Sequence, residues 1–205
     1  MSSGRKTISD LFAHITNNDW EEIEYLYNWV AHALQKPRRQ GHHLIFNGQT
    51  GTGKGIFTGF LELVFKMKDE DFLTLSTYNP KRECWGKFNP KMDNVGLVVL
   101  NEVRKEDFKI NRRDILGMIA NSHIRINHRY GEMYYIDNNI RLVSQTNEPG
   151  LDFNLEDEEY WRNKVINIEE RMSQELAKNV KSLTVVDYAN FYQEMMEREA
   201  HEMVV

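Results

Sequence analysis

LIFNGQTGTGKGIFTGF, residues 44–60, opens as an apolar run, collapses into glycines around one lysine and resumes as an apolar pattern. Residues 44–47 read as a short strand, and Ile56, Phe57, Phe60, Leu63 and Val64 recur at a 3.6-residue period from Lys54 to about Met67. Strand, glycine loop and helix thus follow in the order that a phosphate-binding loop requires. Gly48, Gln49, Thr50, Gly51, Thr52, Gly53 and Lys54 match the GxxxxGK part of that loop. Its glycines let backbone N–H groups converge on phosphate oxygens, and the helix N-terminus adds a favourable dipole. Lys54 is expected to bridge the terminal phosphates. The next residue is Gly55, where the usual loop places a Ser or Thr hydroxyl on magnesium; Thr52 and Thr58 do not stand at that position.

Upstream, TISDLFAHIT and NDWEEIEYLYNWVAHALQ carry apolar residues at helical spacing, with Asn17 to Asp19 supplying capping side chains and MSSGRK left as a loose end. Downstream, DFLTLSTY (71–78), VGLVVLNE (95–102), IRLVSQTN (140–147) and KVINIE (164–169) read as strands. VGLVVLNE has the continuous apolar character of a strand buried on both faces. EDFKINRRDILGMIANS reads as one helix, and HIRIN and EMYYID, joined by HRYG, as a β-hairpin. Alternating strands and helices imply a mostly parallel sheet. The final stretch reads as two helices broken near Leu183–Thr184.

The chain has 205 residues, of which 28% are charged and 40% hydrophobic, and this fits one globular domain with a sizeable core. A formal net charge of −5 argues against a generally basic coat, so contact with DNA or RNA requires a local patch. The lone Cys84 excludes an internal disulfide and fits a reducing cytosol. No apolar stretch is long enough to span a bilayer.

Two strand ends complete the phosphate chemistry. LVVLNE delivers Asn101 and Glu102 to the end of a buried strand, where a nucleotide site needs a carboxylate to hold metal or polarise water. Glu102 is the candidate base, and Asn101 can orient a metal-bound water. Asn147, ending IRLVSQTN, can hydrogen-bond a γ-phosphate or the attacking water. Each also has a plainer reading, a helix cap for Asn101–Glu102 and turn chemistry before Pro149 for Asn147.

NWVAHALQKP, GTGKG, WGKFNP and VVLNEV, taken in order, resemble motifs of superfamily 3 helicases, a branch of the AAA+ ATPases, and most closely the helicase half of phage and plasmid primase-helicases. The resemblance runs from about residue 20 to 170. It implies a P-loop NTPase three-layer sandwich with N- and C-terminal helices. The segments would be 1–40 (helical), 41–170 (ATPase core, with ATP and Mg2+ bound by residues 48–55, Asn101 and Glu102) and 171–205 (helical). It implies a homo-hexameric ring that threads single-stranded DNA or RNA, with His128, Arg129 and Tyr130 at the hairpin tip touching the strand. It also implies a trans-acting arginine, for which Arg162 stands in place, with Lys164 as helper and Arg112 and Arg113 facing solvent or a neighbour. The expectation is an ATP-driven replicative helicase module, as a short protein or a fragment. Alternatives are an AAA+ scaffold or loader without unwinding activity and, last, a small-molecule kinase.

Overall fold

The computed structural model describes residues 2–36, 43–68, 73–148 and 163–199. Five strands form one parallel sheet in the order β2-β3-β6-β1-β7, with β1 at His43–Asn47, β2 at Leu73–Thr77, β3 at Val95–Leu100, β6 at Arg141–Thr146 and β7 at Asn163–Asn167. The hairpin of β4 (His123–Ile126) and β5 (Tyr134–Asp137) is separate and antiparallel. The fold is therefore α/β with a mostly parallel central sheet, as expected.

Because side chains alternate along a strand, the buried sheet has two apolar faces. Leu44, Phe46, Leu97 and Val99 point to one face, where α1 (Ser3–Ile15), α2 (Trp20–Gln35), α3 (Lys54–Lys66) and α8 (Val185–Glu197) supply the partners. Phe12 is the hub there, stacked on Tyr27 at 4.3 Å and edge-on to Phe57 at 5.2 Å. Ile45, Val98, Leu100 and Leu142 face the opposite way, onto α5 (Lys105–Ile110), α6 (Arg112–Ala120) and the hairpin. All five strands run in one direction, so their carboxyl ends meet at one edge of the sheet, where open α/β sheets hold ligands.

Two local expectations are corrected. From Ser2 onward the expected loose end is the cap and first turn of α1: the Ser2 hydroxyl accepts from Arg5 N at 3.3 Å, and Arg5 reaches Glu194 of α8 at 3.2 Å. A cap and a tertiary ion pair order a stretch whose composition alone is neutral. The single helix over 106–122 is two, because Asn111 bends the backbone and its amide takes the Asp107 carbonyl at 2.8 Å, competing with the helical ladder. The two helices of the final stretch, α7 (Gln174–Lys181) and α8, break at Thr184, which caps α8.

His43 is fully buried, with Nδ1 2.9 Å from Asn163 Oδ1 and Nε2 2.7 Å from Ser144 Oγ. Burial lowers its pKa to about 4, outweighing the Asn163 hydrogen bond, against 6.5 in the unfolded chain. The folded imidazole stays neutral while the unfolded one takes a proton, so stability present above pH 6.5 is lost as pH falls towards 4. Denaturant unfolding is expected to show a loss of about 2 kcal/mol between pH 7 and pH 5 from this group. In His43→Gln that slope flattens; an unchanged slope would assign the loss elsewhere.

Candidate functional site

A cavity of about 420 Å³ opens at the carboxyl edge of the sheet, bordered by residues 50–56, Asn101, Glu102, Gln145, Asn147 and the Met172–Ala177 stretch. The sheet direction brings the glycine loop, the β3 end and the β6 end together. Lys54, Asn101, Glu102 and Asn147 thus border one cavity.

The loop shape depends on glycine at two points. Gly51 and Gly53 have φ of +89° and +94°, and a side chain on Gly53 would also strike the Met172 methyl. The loop is held from outside as well. His14 Nε2 of α1 lies 3.0 Å from the Thr52 carbonyl, and Met172 N donates to the Gly51 carbonyl at 3.0 Å. Asn17 braces the same segment, giving its amide to Asn167 O at 2.6 Å and accepting from Glu169 N at 3.0 Å.

Lys54 is the first residue of α3 and is buried, its ammonium on the Gly48 carbonyl and 2.9 Å from Gln49 O. Burial pushes its pKa down. A desolvated ammonium held only by neutral acceptors favours an anionic ligand. Glu102 is exposed at the cavity rim with φ of +53°, a left-handed conformation that costs a non-glycine residue on the order of 1 kcal/mol. Asn147 is exposed at the same rim. Asn101 turns its carbonyl inward, where it accepts from Gln145 Nε2 at 3.0 Å, while its own amide donates to Ser76 Oγ at 2.9 Å.

Gln145 is absent from the expected set. Its signal is the polar triplet Ser144-Gln145-Thr146 inside an otherwise buried strand. Among the described residues no three His, Cys, Asp or Glu side chains converge on a metal position. Cys84 is buried, and burial pushes its thiol up to about 12.

Arg162 lies outside the described residues. Lys164, its expected helper, is paired with Glu22 at 2.8 Å. Arg113 is exposed and Arg112 half-buried. His128, Arg129 and Tyr130 stand at the hairpin tip, away from the cavity: Tyr130 is 92% exposed and Arg129 sits 5.5 Å from its ring. The tip continues into a groove of about 760 Å³ edged by Lys81, Arg82, Lys87, Lys91 and Arg129, with Phe88 exposed among them. Glu83, its carboxylate, is paired with Lys91, which holds its pKa below the usual range. The groove and hairpin form one frame, because Asn127 donates to Lys87 O at 2.6 Å while Asn89 donates to Arg125 O at 2.9 Å. These cations escape a reading of the sequence because they are scattered along a loop and meet only in space.

Residues 46–162 match the model of a family described as of unknown function, DUF5906. The DNA primase-polymerase of Nitratiruptor phage NrS-1 is 25% identical over 144 residues, covering 69% of this chain and 19% of the phage protein. Two apo structures of the NrS-1 C-terminal region superpose with TM-scores of 0.74 and 0.73 at 21% and 22% identity. They cover 96% of this chain and 46% of each of those chains. That likeness is one of fold, and the chain spans under half the length of the relatives it matches.

The relatives correct the expected function. They are a primase-polymerase and its C-terminal region, not a superfamily 3 helicase. This overturns the ATP-driven ring helicase and the scaffold, loader and kinase readings set beside it. The physical reason is that a glycine loop, a strand-end carboxylate and a basic hairpin are motifs that different chemistries can share; their order does not specify translocation.

The loop geometry separates neighbouring glycines. Gly53→Ala is expected to cost about 1–3 kcal/mol, from left-handed strain and displacement of Met172. Gly55→Ala, in α3, where an added Cβ meets only Gln145 Oε1 at an ordinary van der Waals distance of 4.0 Å, is expected to be neutral or to gain up to ~1 kcal/mol. Urea unfolding of both variants checks the pair.

Proposed function

Because the chain belongs to the DUF5906 family, whose description assigns no activity, its function has to come from its site, and we propose that it is the nucleoside-triphosphate-binding module of a phage-type DNA primase-polymerase. The carrying observation is the glycine loop at the head of α3, with the buried Lys54 ammonium beneath it and the Glu102 carboxylate across the same cavity. A loop of this form binds phosphates as a P-loop does, its N–H groups and the α3 dipole meeting the oxyanions. The relative's name supplies the rest of the reading. An enzyme that joins nucleotides on DNA is a nucleotidyl transferase that consumes triphosphates, and a phage enzyme of that kind works in replication inside the host cell.

In this reading residues 48–55 cradle the phosphates of ATP or another nucleoside triphosphate. Lys54 leaves its loop carbonyls for the terminal phosphates, and Asn147 donates to the outermost oxygens. Glu102 is the residue that would hold the Mg2+ accompanying a triphosphate, and such an ion would neutralise phosphate charge. The basic groove and the hairpin tip with His128, Arg129 and Tyr130 take the DNA strand, cations to phosphates and aromatic rings to bases. This resolves the charge puzzle of an acidic chain, since the cations are gathered in one frame.

Titration with a fluorescent ATP analogue and Mg2+ tests the phosphate reading. Binding is expected in the wild type, with at least a ~10-fold loss in Lys54→Ala, the order of one charged contact. Equal binding by that variant would remove Lys54 from the site, and no binding by the wild type would remove the reading itself. For the groove, Lys81→Ala/Arg82→Ala/Arg129→Ala is expected to weaken single-stranded DNA binding and to lower its salt slope by ~0.7 for each phosphate that is no longer neutralised. Lys54→Ala should leave that slope alone; a slope unchanged by the triple variant would place the DNA elsewhere.

A further inference from the structure

We infer that the side-chain oxygen of Gln145 takes the metal-facing role that the missing hydroxyl after Lys54 would otherwise have. The inference rests on the triphosphate reading and deepens it.

The starting point is the space at Gly55. A Cβ added there would meet a single neighbour within 4 Å, and that neighbour is Gln145 Oε1 at 4.0 Å. The usual loop projects its Ser or Thr hydroxyl from this Cβ towards magnesium. An amide oxygen arriving from β6 therefore stands beside the place that the glycine leaves open.

The amide is oriented by its partners. Both hydrogens of Gln145 Nε2 are used, one on Thr58 Oγ1 at 2.8 Å and one on Asn101 Oδ1 at 3.0 Å. Thr58 sends its own proton to the Gly55 carbonyl at 3.3 Å, so towards Gln145 it can only accept. Asn101 gives its amide to Ser76 Oγ at 2.9 Å, and its carbonyl meets Gln145. With Thr58 and Asn101 so oriented, turning the Gln145 amide over would set oxygen against oxygen at both contacts. The backbone is pinned too: Gln145 O accepts from Val103 N at 2.9 Å, which ties β6 to the residue after Glu102.

The outcome is a division of labour. Asn101, expected to orient a metal-bound water, has its oxygen committed and acts as a positioning residue for Gln145. Gln145 presents the acceptor. Mg2+ is a hard cation that binds carbonyl oxygens and keeps several waters, so one neutral oxygen, contacting the ion or one of its waters, suits a site whose charge comes from the phosphates and Glu102. The two departures read from the sequence, Gly55 and Asn101, are then linked through one side chain that neither predicts.

The test measures affinity for a fluorescent ATP analogue with Mg2+ and with EDTA, and compares the tightening that the metal causes. In Gln145→Met, which keeps the volume and loses the oxygen, that tightening is expected to fall about tenfold, while affinity in EDTA stays as in the wild type. Gln145→Leu is the second variant should the first fail to fold, as judged by its melting temperature. Adding Gly55→Ser to either variant is expected to restore the tightening, because the added Cβ meets the residue-145 side chain at no closer than ordinary van der Waals contact and places a hydroxyl beside it. A variant that folds and keeps the wild-type tightening overturns the inference, as does a serine at 55 that restores nothing. A wild type that binds no ATP overturns instead the triphosphate reading, and it does so before any variant is compared.

Discussion

The passage from β1 to α3 governs this molecule. The chain leaves a fully buried strand at Asn47 and re-enters the core at Phe57. Between them it turns through Gly51 and Gly53 in a conformation that L side chains resist. That turn points the first amides of α3 and the Lys54 ammonium into a cavity instead of the core. With the parallel sheet setting the carboxyl ends of its strands along one edge, the turn also fixes which residues can meet Lys54, namely those at the ends of β3 and β6. A sheet with one antiparallel neighbour at this edge would scatter the same residues to opposite ends.

The loop is not self-supporting. It is braced by His14 of α1 and by Met172 from the segment after β7, a segment that Asn17 holds in turn. The terminal helices share one apolar cluster with the sheet face and with α3, so their packing and the shape of the phosphate loop are coupled. Displacement of α1 would be felt at the Thr52 carbonyl, a single hydrogen bond from the cavity. The basic groove is built differently, by reciprocal bonds between Asn89 and Asn127 that lock a loop to the hairpin. One chain thus carries two polar sites, the cavity beside the glycine loop and the basic groove beside the hairpin, joined through β2 and the turn at Tyr78.

Much of this is legible in the sequence, for identifiable reasons. Buried parallel strands announce themselves as apolar runs, and the glycine loop lies on consecutive residues, so local pattern suffices for β1, β3, α3 and Lys54. The hairpin is legible because its alternation and its glycine are local as well. What escapes depends on partners distant in sequence. Ser2 and Arg5 order the first turn of α1 through a cap and through Glu194, Asn111 breaks a helix with its own side chain, and Gln145 gains its meaning only beside Asn101 and Thr58. The cations from Lys81 to Arg129 form a surface only once the hairpin is folded against its loop. The function is misread for a related reason: the glycine loop is a local pattern, whereas the process that uses it is not written in any local pattern.

Hydrogen exchange of the backbone amides with and without ATP and Mg2+ tests the central claim most directly, because it reads the loop residue by residue. The account predicts that protection appears on residues 50–56 and around Asn101 and Glu102, and that the groove at residues 81–91 stays unchanged until DNA is added. Protection confined to other parts of the chain, or none at a saturating concentration, would contradict it.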